Sequence, residues 1–132
     1  MAVTNELTIK NEDLLTVVEN RDLGELIKPL VNEIHLFDTV IAGTLFMEDS
    51  SVYDRLEKNE KLILQRENNK FDSNAILILN SQKQKLGYVP ERDNQVFSRL
   101  MDAGKLLIAK VISVKNPDGF YMIRIGIYLV DY

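Results

Sequence analysis

The chain has 132 residues, of which 45% are hydrophobic and 27% charged, and its formal net charge is −4. Its size and composition fit one soluble globular domain. It has no cysteine and one histidine, His35, so disulfides, thiol catalysis and Cys/His zinc sites are excluded, and neither a metal nor another cofactor is expected.

No apolar run approaches the ~20 residues that span a bilayer. The N-terminal MAVTNELTIKNEDLL lacks the basic and apolar regions of a secretory signal, so the expectation is a cytoplasmic protein without membrane contact. The charge is unevenly spread. Residues 1–33 hold seven acidic groups against three basic ones, Lys10, Arg21 and Lys28, whereas the two signs balance over residues 34–132. Non-specific nucleic-acid binding needs Lys and Arg to replace counterions. Any nucleic-acid binding by this chain must therefore be local and geometrical.

In chain order, residues 11–33 carry a helical pattern. Leu14, Leu15, Val17 and Val18 form one apolar face, and Leu23, Leu26, Ile27, Leu30 and Val31 form another at spacings of three and four. Asp22 is placed to cap the second of two short helices, and Pro29 to kink or end it. An apolar stripe must be buried. This acidic arm, residues 1–33, therefore either covers an open end of the main domain or meets a protein partner or a second copy through residues 11–33.

From His35 the pattern turns to strand, with Phe37, Thr39, Ile41 and Gly43 alternating with Leu36, Val40 and Ala42. Asp49 or Ser50 can cap a short helix that buries Val52 and Leu56 and ends near Lys58-Asn59. Strands follow at Lys61–Arg66, Ala75–Leu79 and Lys85–Val89, the last stopped by Pro90. Asp93-Asn94 can cap a helix to about Ala103, with Val96, Phe97, Leu100 and Met101 facing inward. Gly104 stands where a C-terminal glycine belongs. A long strand, Leu106–Lys115, is joined through Asn116-Pro117-Asp118-Gly119 to a final alternating strand from Tyr121 to Leu129. About six strands with two inserted helices define a mainly β, α+β domain over residues 34–132, a small antiparallel barrel or sandwich.

No catalytic constellation is visible. None of the serines sits in a Gly-x-Ser-x-Gly elbow, His35 has no acid partner evident in sequence, and the glycine-rich phosphate loops are missing. An enzyme would need carboxylates converging from loops. One stretch stands out, QRENNKFDSNAILIL at Gln65–Leu79. Its polar loop suits a turn, since Asn and Asp tolerate positive φ and bond their own backbone. Phe71 at its centre does not. It either plugs the core or offers a surface for stacking. Phe46 and Tyr88 are further aromatics near strand ends, and Arg66, Lys70, Lys83, Lys85 and Arg92 are nearby cations. Aromatics with a few cations are what a small barrel uses to hold single-stranded nucleic acid, and equally what fills and solubilises an ordinary barrel.

The run from Leu62 to Ile76 resembles the HIRAN domain signature, an apolar strand leading into R-E/D-x-N-x-[YF]-D-x-N-A-[IV]. Ile41-Ala42-Gly43 is similar to an early apolar-glycine element. Leu86-Gly87-Tyr88-Val89-Pro90 is similar to a later G-[YH]-[VIL]-P element that precedes a helix. The three blocks fall in the family's order over roughly residues 36 to 115. The resemblance implies a modified OB-like β-barrel with two helices. It also implies binding of single-stranded DNA at its 3′ end, as in members joined to helicase-like enzymes, with a DNA-repair setting. No ATPase motor follows in this chain, so it resembles the stand-alone bacterial members.

By resemblance, Asp72 matches the carboxylate that accepts a hydrogen bond from the terminal 3′-hydroxyl. Phe71 matches the adjoining pocket aromatic, and Phe46 an aromatic that stacks on terminal bases. Asn69 matches a polar loop residue, and Tyr88 a pocket-edge position. Arg66, Lys70 and Arg92 complete the expected nucleic-acid-binding set. The chain also departs from the pattern. Leu45 stands where DNA-binding members have a basic residue, Met47 replaces a second aromatic, and Glu91 stands where a phosphate-contacting Lys occurs. A non-catalytic protein-interaction domain that has lost DNA binding is the alternative reading.

Overall fold

In the computed structural model, residues 32–47 and 49–131 are described. The expected arm, with its helices, its Asp22 cap and its Pro29 kink, lies outside the described residues, apart from Asn32 and Glu33 at its end. Six strands form one sheet: β1 (Asn32–Val40), β2 (Lys61–Arg66), β3 (Ile76–Leu79), β4 (Lys85–Tyr88), β5 (Leu106–Lys115) and β6 (Met122–Asp131). Their spatial order is β1-β6-β5-β2-β3-β4. The neighbours β2/β3, β2/β5, β3/β4 and β5/β6 are antiparallel. Two helices are inserted, α1 (Ser51–Asp54) and α2 (Glu91–Asp102). None of the described helices is long and apolar enough to cross a membrane.

The alternating pattern places the core. In β2, Leu62 and Leu64 are buried, whereas Lys61, Ile63 and Gln65 face out. In β6, Ile123, Ile125 and Ile127 are fully buried, and Met122 and Arg124 are exposed. Only a period of two on a one-sided sheet produces this division. The short β3 is buried at Ile76, Ile78 and Leu79, with Leu77 half-buried. The interior run AILIL is therefore nearly two-sided, as its composition suggests.

Four expectations are corrected. The first strand begins at Asn32 rather than His35. Asn32 and Glu33 are strand because the Glu33 carboxylate is held by Lys110 of β5 (2.5 Å) and Lys61 of β2 (2.7 Å). Asp93 and Asn94 do not cap α2, which starts two residues earlier with Pro90 in the cap position. Their side chains are spent elsewhere: Asp93 accepts from Thr39 Oγ1, and Asn94 donates to Asp72. Val96 is 63% exposed rather than inward, while Phe97 is buried against the Phe37 ring at 5.8 Å. α1 ends at Asp54 rather than near Lys58-Asn59, so Leu56 lies beyond it and is only half-buried, and the buried neighbour of Val52 is Tyr53, fully enclosed with its hydroxyl donating to the Leu86 carbonyl.

The sheet does not close as a ladder. Among the described residues, the segment just after β1 meets the end of β4 in an isolated antiparallel bridge, Ala42 with Tyr88. The bridge has two bonds, Ala42 N–H to the Tyr88 carbonyl (2.8 Å) and Tyr88 N–H to the Ala42 carbonyl (3.0 Å). It cannot extend. After Ala42 the chain turns through Gly43 at φ 86° into a 3₁₀ turn, Thr44–Phe46. After Tyr88 the Val89 N–H goes to Ile76 of β3, and Pro90 has no N–H to offer.

Gly87 makes the bridge sterically feasible. A Cβ there would lie 2.3 Å from the Ala42 carbonyl oxygen and 2.6 Å from the Ile41 side chain. Neither the carbonyl nor a buried isoleucine can give way. Gly87→Ala is expected to destabilise the fold by about 3 kcal/mol through overpacking. Gly104→Ala is the control. That glycine also has positive φ (92°), but it has open space around it. It should cost about 1 kcal/mol from backbone strain alone. Urea denaturation of both variants checks the difference, and equal losses would rule out the close approach as the constraint.

Candidate nucleic-acid interface

The loop from Glu67 to Asn74 is ordered by its own side chains. The Asn69 amide oxygen accepts from the backbone N–H of Phe71 (2.9 Å) and of Asp72 (2.7 Å). Asp72 Oδ1 accepts from the N–H of Asn74 (2.9 Å). These are local side-chain turns in which Asn and Asp supply the acceptors that a ladder would otherwise provide. Arg66 clamps the loop from behind. Its guanidinium donates to the carbonyls of Ala75 (2.6 Å) and Ser73 (2.8 Å) and to the Asp102 carboxylate (2.9 Å). The planar fork of Arg suits such multiple donation.

Two neighbours complete the support. Asn69 Nδ2 and the Tyr88 hydroxyl both donate to Glu67 Oε2, at 2.9 and 2.8 Å. Asn94 of α2, only 2% exposed, donates from Nδ2 to Asp72 Oδ2 (2.8 Å). Ser98, one turn further along α2 and fully buried, donates to Asn74 Oδ1 (3.2 Å).

The outcome for Phe71 is unambiguous: its ring is 86% exposed. The core-plug alternative is therefore overturned, because the loop bonds hold the Phe71 backbone while its ring projects into solvent. Beside it lies an open cleft of about 380 Å³, lined by Ala42, Gly43, Asn69, Phe71, Asp72, Ala75, Tyr88, Val89 and Glu91. Four of the eight expected contact residues thus share one cleft: Asn69, Phe71, Asp72 and Tyr88. Lys70 stands 5.3 Å above the centre of the Phe71 ring. Phe46 is 87% exposed on the turn that follows Gly43. Arg66 is engaged behind the loop. Arg92 lines a separate apolar cleft with Leu36, Phe37, Val96 and Leu100.

Asn94 and Glu67 are the residues that sequence reasoning missed. Asn94 carried one signal, since it and Ser98 are polar and four apart on a helix face otherwise set to be buried. Glu67 carried none. Among the described residues, no group of three or more His, Cys, Asp or Glu side chains converges as a metal site. His35 does have an acid partner, Asp38 at 2.6 Å, on the exposed surface of β1.

A model of the HIRAN domain matches residues 34–130. Two solved structures are similar. A protein from Lactobacillus plantarum has a TM-score of 0.71 at 25% identity, over 77% of this chain and 99% of that one. The HIRAN domain of human HLTF has a TM-score of 0.61 at 17% identity, over 76% of this chain and 78% of that one. No curated protein matches the sequence. The chain belongs to the HIRAN domain family. Domains of this family are generally DNA-binding modules.

The shared acceptor couples the loop to pH. Hydrogen bonds from Asn69 and then Tyr88 hold the Glu67 carboxyl below its ordinary 4.5. The bond to Glu67, helped by burial, raises the Tyr88 phenol above its ordinary 10.0. The Glu67 contribution to stability is complete above 4.5 and is lost as pH falls through the lower folded value. The Tyr88 contribution is complete below 10.0 and is lost as pH rises through the higher folded value. Loop protection, read by amide exchange at Phe71 and Asp72, should therefore be flat between these limits and fall at both ends. Tyr88→Phe should abolish the alkaline fall and retain the acid one.

Proposed function

We propose that this domain binds single-stranded DNA by its 3′ end, with the terminal nucleoside in the Phe71/Asp72 cleft. The observation that carries this reading is a fully presented aromatic ring on a loop held rigid by internal bonds, beside a carboxylate in the same cleft. Exposing a phenylalanine forgoes roughly 2 kcal/mol of burial. A base stacked on it regains ~1–3 kcal/mol.

Asp72 supplies the end selectivity. Each of its oxygens accepts one internal bond, from Asn74 and from Asn94, and each keeps a second acceptor site. A carboxylate in this role attracts a hydroxyl donor and repels a terminal phosphate. Phe46 is a second stacking surface. Lys70, and Lys85 at 4.7 Å from the Tyr88 ring centre, are the cations available to backbone phosphates. Arg66 acts by shaping the loop, and Arg92 contributes no contact in the cleft.

With two cations beside the aromatic faces among the described residues, the affinity should depend weakly on salt. The slope of log K against log salt is expected to be about −1.4 for two phosphate contacts on a single strand. Fluorescence anisotropy with single strands ending in 3′-hydroxyl or 3′-phosphate tests the reading. The hydroxyl end should bind more tightly, Asp72→Asn should erode the difference, and Phe71→Ala should weaken binding by about tenfold. Equal affinity for the two ends would overturn the 3′-end reading. No binding at low salt would favour the alternative of an interaction domain without DNA binding.

A further inference from the structure

Helix α2 carries two polar residues on the face it buries. Asn94 is 2% exposed and Ser98 is fully buried, and they lie one turn apart. Phe97 between them is buried too, so apolar residues would serve this face for packing alone. A buried polar group needs a hydrogen-bond partner, and both residues find one on the same loop. Asn94 Nδ2 donates to Asp72 Oδ2 (2.8 Å), and Ser98 Oγ reaches Asn74 Oδ1 (3.2 Å). Ser98 has a nearer acceptor in the Gln95 carbonyl (2.9 Å), so Asn94 is the stronger link from α2 to the loop. The Asn74 N–H donates to the other Asp72 oxygen, Oδ1 (2.9 Å). The carboxylate thus has one donor on each oxygen, one from its own loop and one from the helix.

A carboxylate held by one donor still turns about its last side-chain torsion, which is broad and roughly two-fold. A second donor on the other oxygen removes that freedom. The fixed group offers its remaining acceptor sites in set directions. It also cannot turn aside from an incoming phosphate, so the repulsion is felt in full. We infer that Asn94 is a positioning residue for the choice of strand end: by anchoring Asp72 Oδ2 it makes the carboxylate accept a terminal 3′-hydroxyl and reject a terminal 3′-phosphate. This deepens the single-stranded-DNA reading above and rests on it. Asn94 does not line the cleft, whereas Asp72 does. It therefore acts through Asp72 and not on the strand itself.

The test uses the full chain and 5′-labelled DNA single strands that end in 3′-hydroxyl or 3′-phosphate. Asn94→Ala is expected to cut the hydroxyl-to-phosphate affinity ratio by about tenfold, the scale of one hydrogen bond to a charged group. Asn94→Asp, nearly equal in size, sets a second carboxylate against Asp72 and should lower the ratio at least as far. Stacking should survive, because Asn69 holds the Phe71 backbone. Adding Phe71→Ala to the Asn94→Ala protein should thus still weaken binding by about tenfold. In the unaltered protein, NMR follows the Asn94 side-chain amide. Its resonance should move on saturation with the hydroxyl-ended strand, because the acceptor it bonds gains another donor.

A double-mutant cycle separates positioning from general loosening. In an Asp72→Asn background, Asn94→Ala should change the end ratio no further. An equal drop in that background overturns the role given to Asn94, and so does loss of the Phe71 effect together with the ratio. If the unaltered protein prefers the hydroxyl end and Asn94→Ala leaves that preference intact, this inference falls and the 3′-end reading stands. If the unaltered protein binds both ends alike, both fall. Should the variants fail to fold, the Asn94 resonance decides, and a signal unmoved at saturation overturns the inference.

Discussion

The approach of Ala42 to Gly87 is the contact on which the site depends. Among the described residues, the segment that follows β1 bridges to β4 here, and only a residue without a Cβ lets the Ala42 carbonyl come close enough to bond Tyr88. The bridge brings Ala42 and Gly43 alongside Tyr88 and Val89, and all four line the cleft. Beyond it the chain can continue on neither side. Gly43 turns away into the segment that presents Phe46, and Pro90 ends β4 and starts α2. The positions of Glu91 and Asn94 therefore follow from the same junction. One bridge of two hydrogen bonds thus sets the wall, the floor and the helix of the site.

The loop facing that junction is built on a different principle. Its backbone donors are satisfied by side chains: Asn69 serves Phe71 and Asp72, and Asp72 serves Asn74. Arg66 ties the far end to the sheet and to Asp102. A polar loop without such bonds would let its aromatic collapse onto the nearest apolar surface. Here the backbone on both sides of the ring is held, and the ring stands in solvent. The polar network keeps a hydrophobic ring in water, which is the condition for stacking on a ligand. The bond from Asn94 extends the network into the core, so the position of Asp72 is set by a buried residue of α2 as well as by the loop.

Charge is used sparingly. Residues 34–132 are neutral in formal charge, and four of their lysines are engaged in specific places. Lys61 and Lys110 hold Glu33 across the sheet, and Lys70 and Lys85 stand over aromatic rings. The acids of the cleft face no lining cation. Under the proposed function, binding by such a surface would depend on shape and stacking more than on counterion release.

Strand spacing and alternation were legible from the residues alone. β2 and β5 were anticipated to the residue, and β3, β4 and β6 within one or two at either end, because a one-sided sheet imposes a period of two that side-chain hydrophobicity displays directly. The N-x-[YF]-D-x-N run identified the loop, since Asn and Asp turns act within a few residues of themselves. The sequence could not decide where long-range polar bonds would form. Asp93 and Asn94 look like caps, yet Thr39 and Asp72 claim them from 54 and 22 residues away. Nor could it decide whether Phe71 was core or surface, because a phenylalanine suits either. Local sequence determined the strands, the turns and the self-bonded loop, whose interactions span only a few residues. The tertiary structure alone decided that Gly87 would admit Ala42, that Arg66 would clamp the loop, and that Asn94 of α2 would hold Asp72, because these depend on groups that folding brings together.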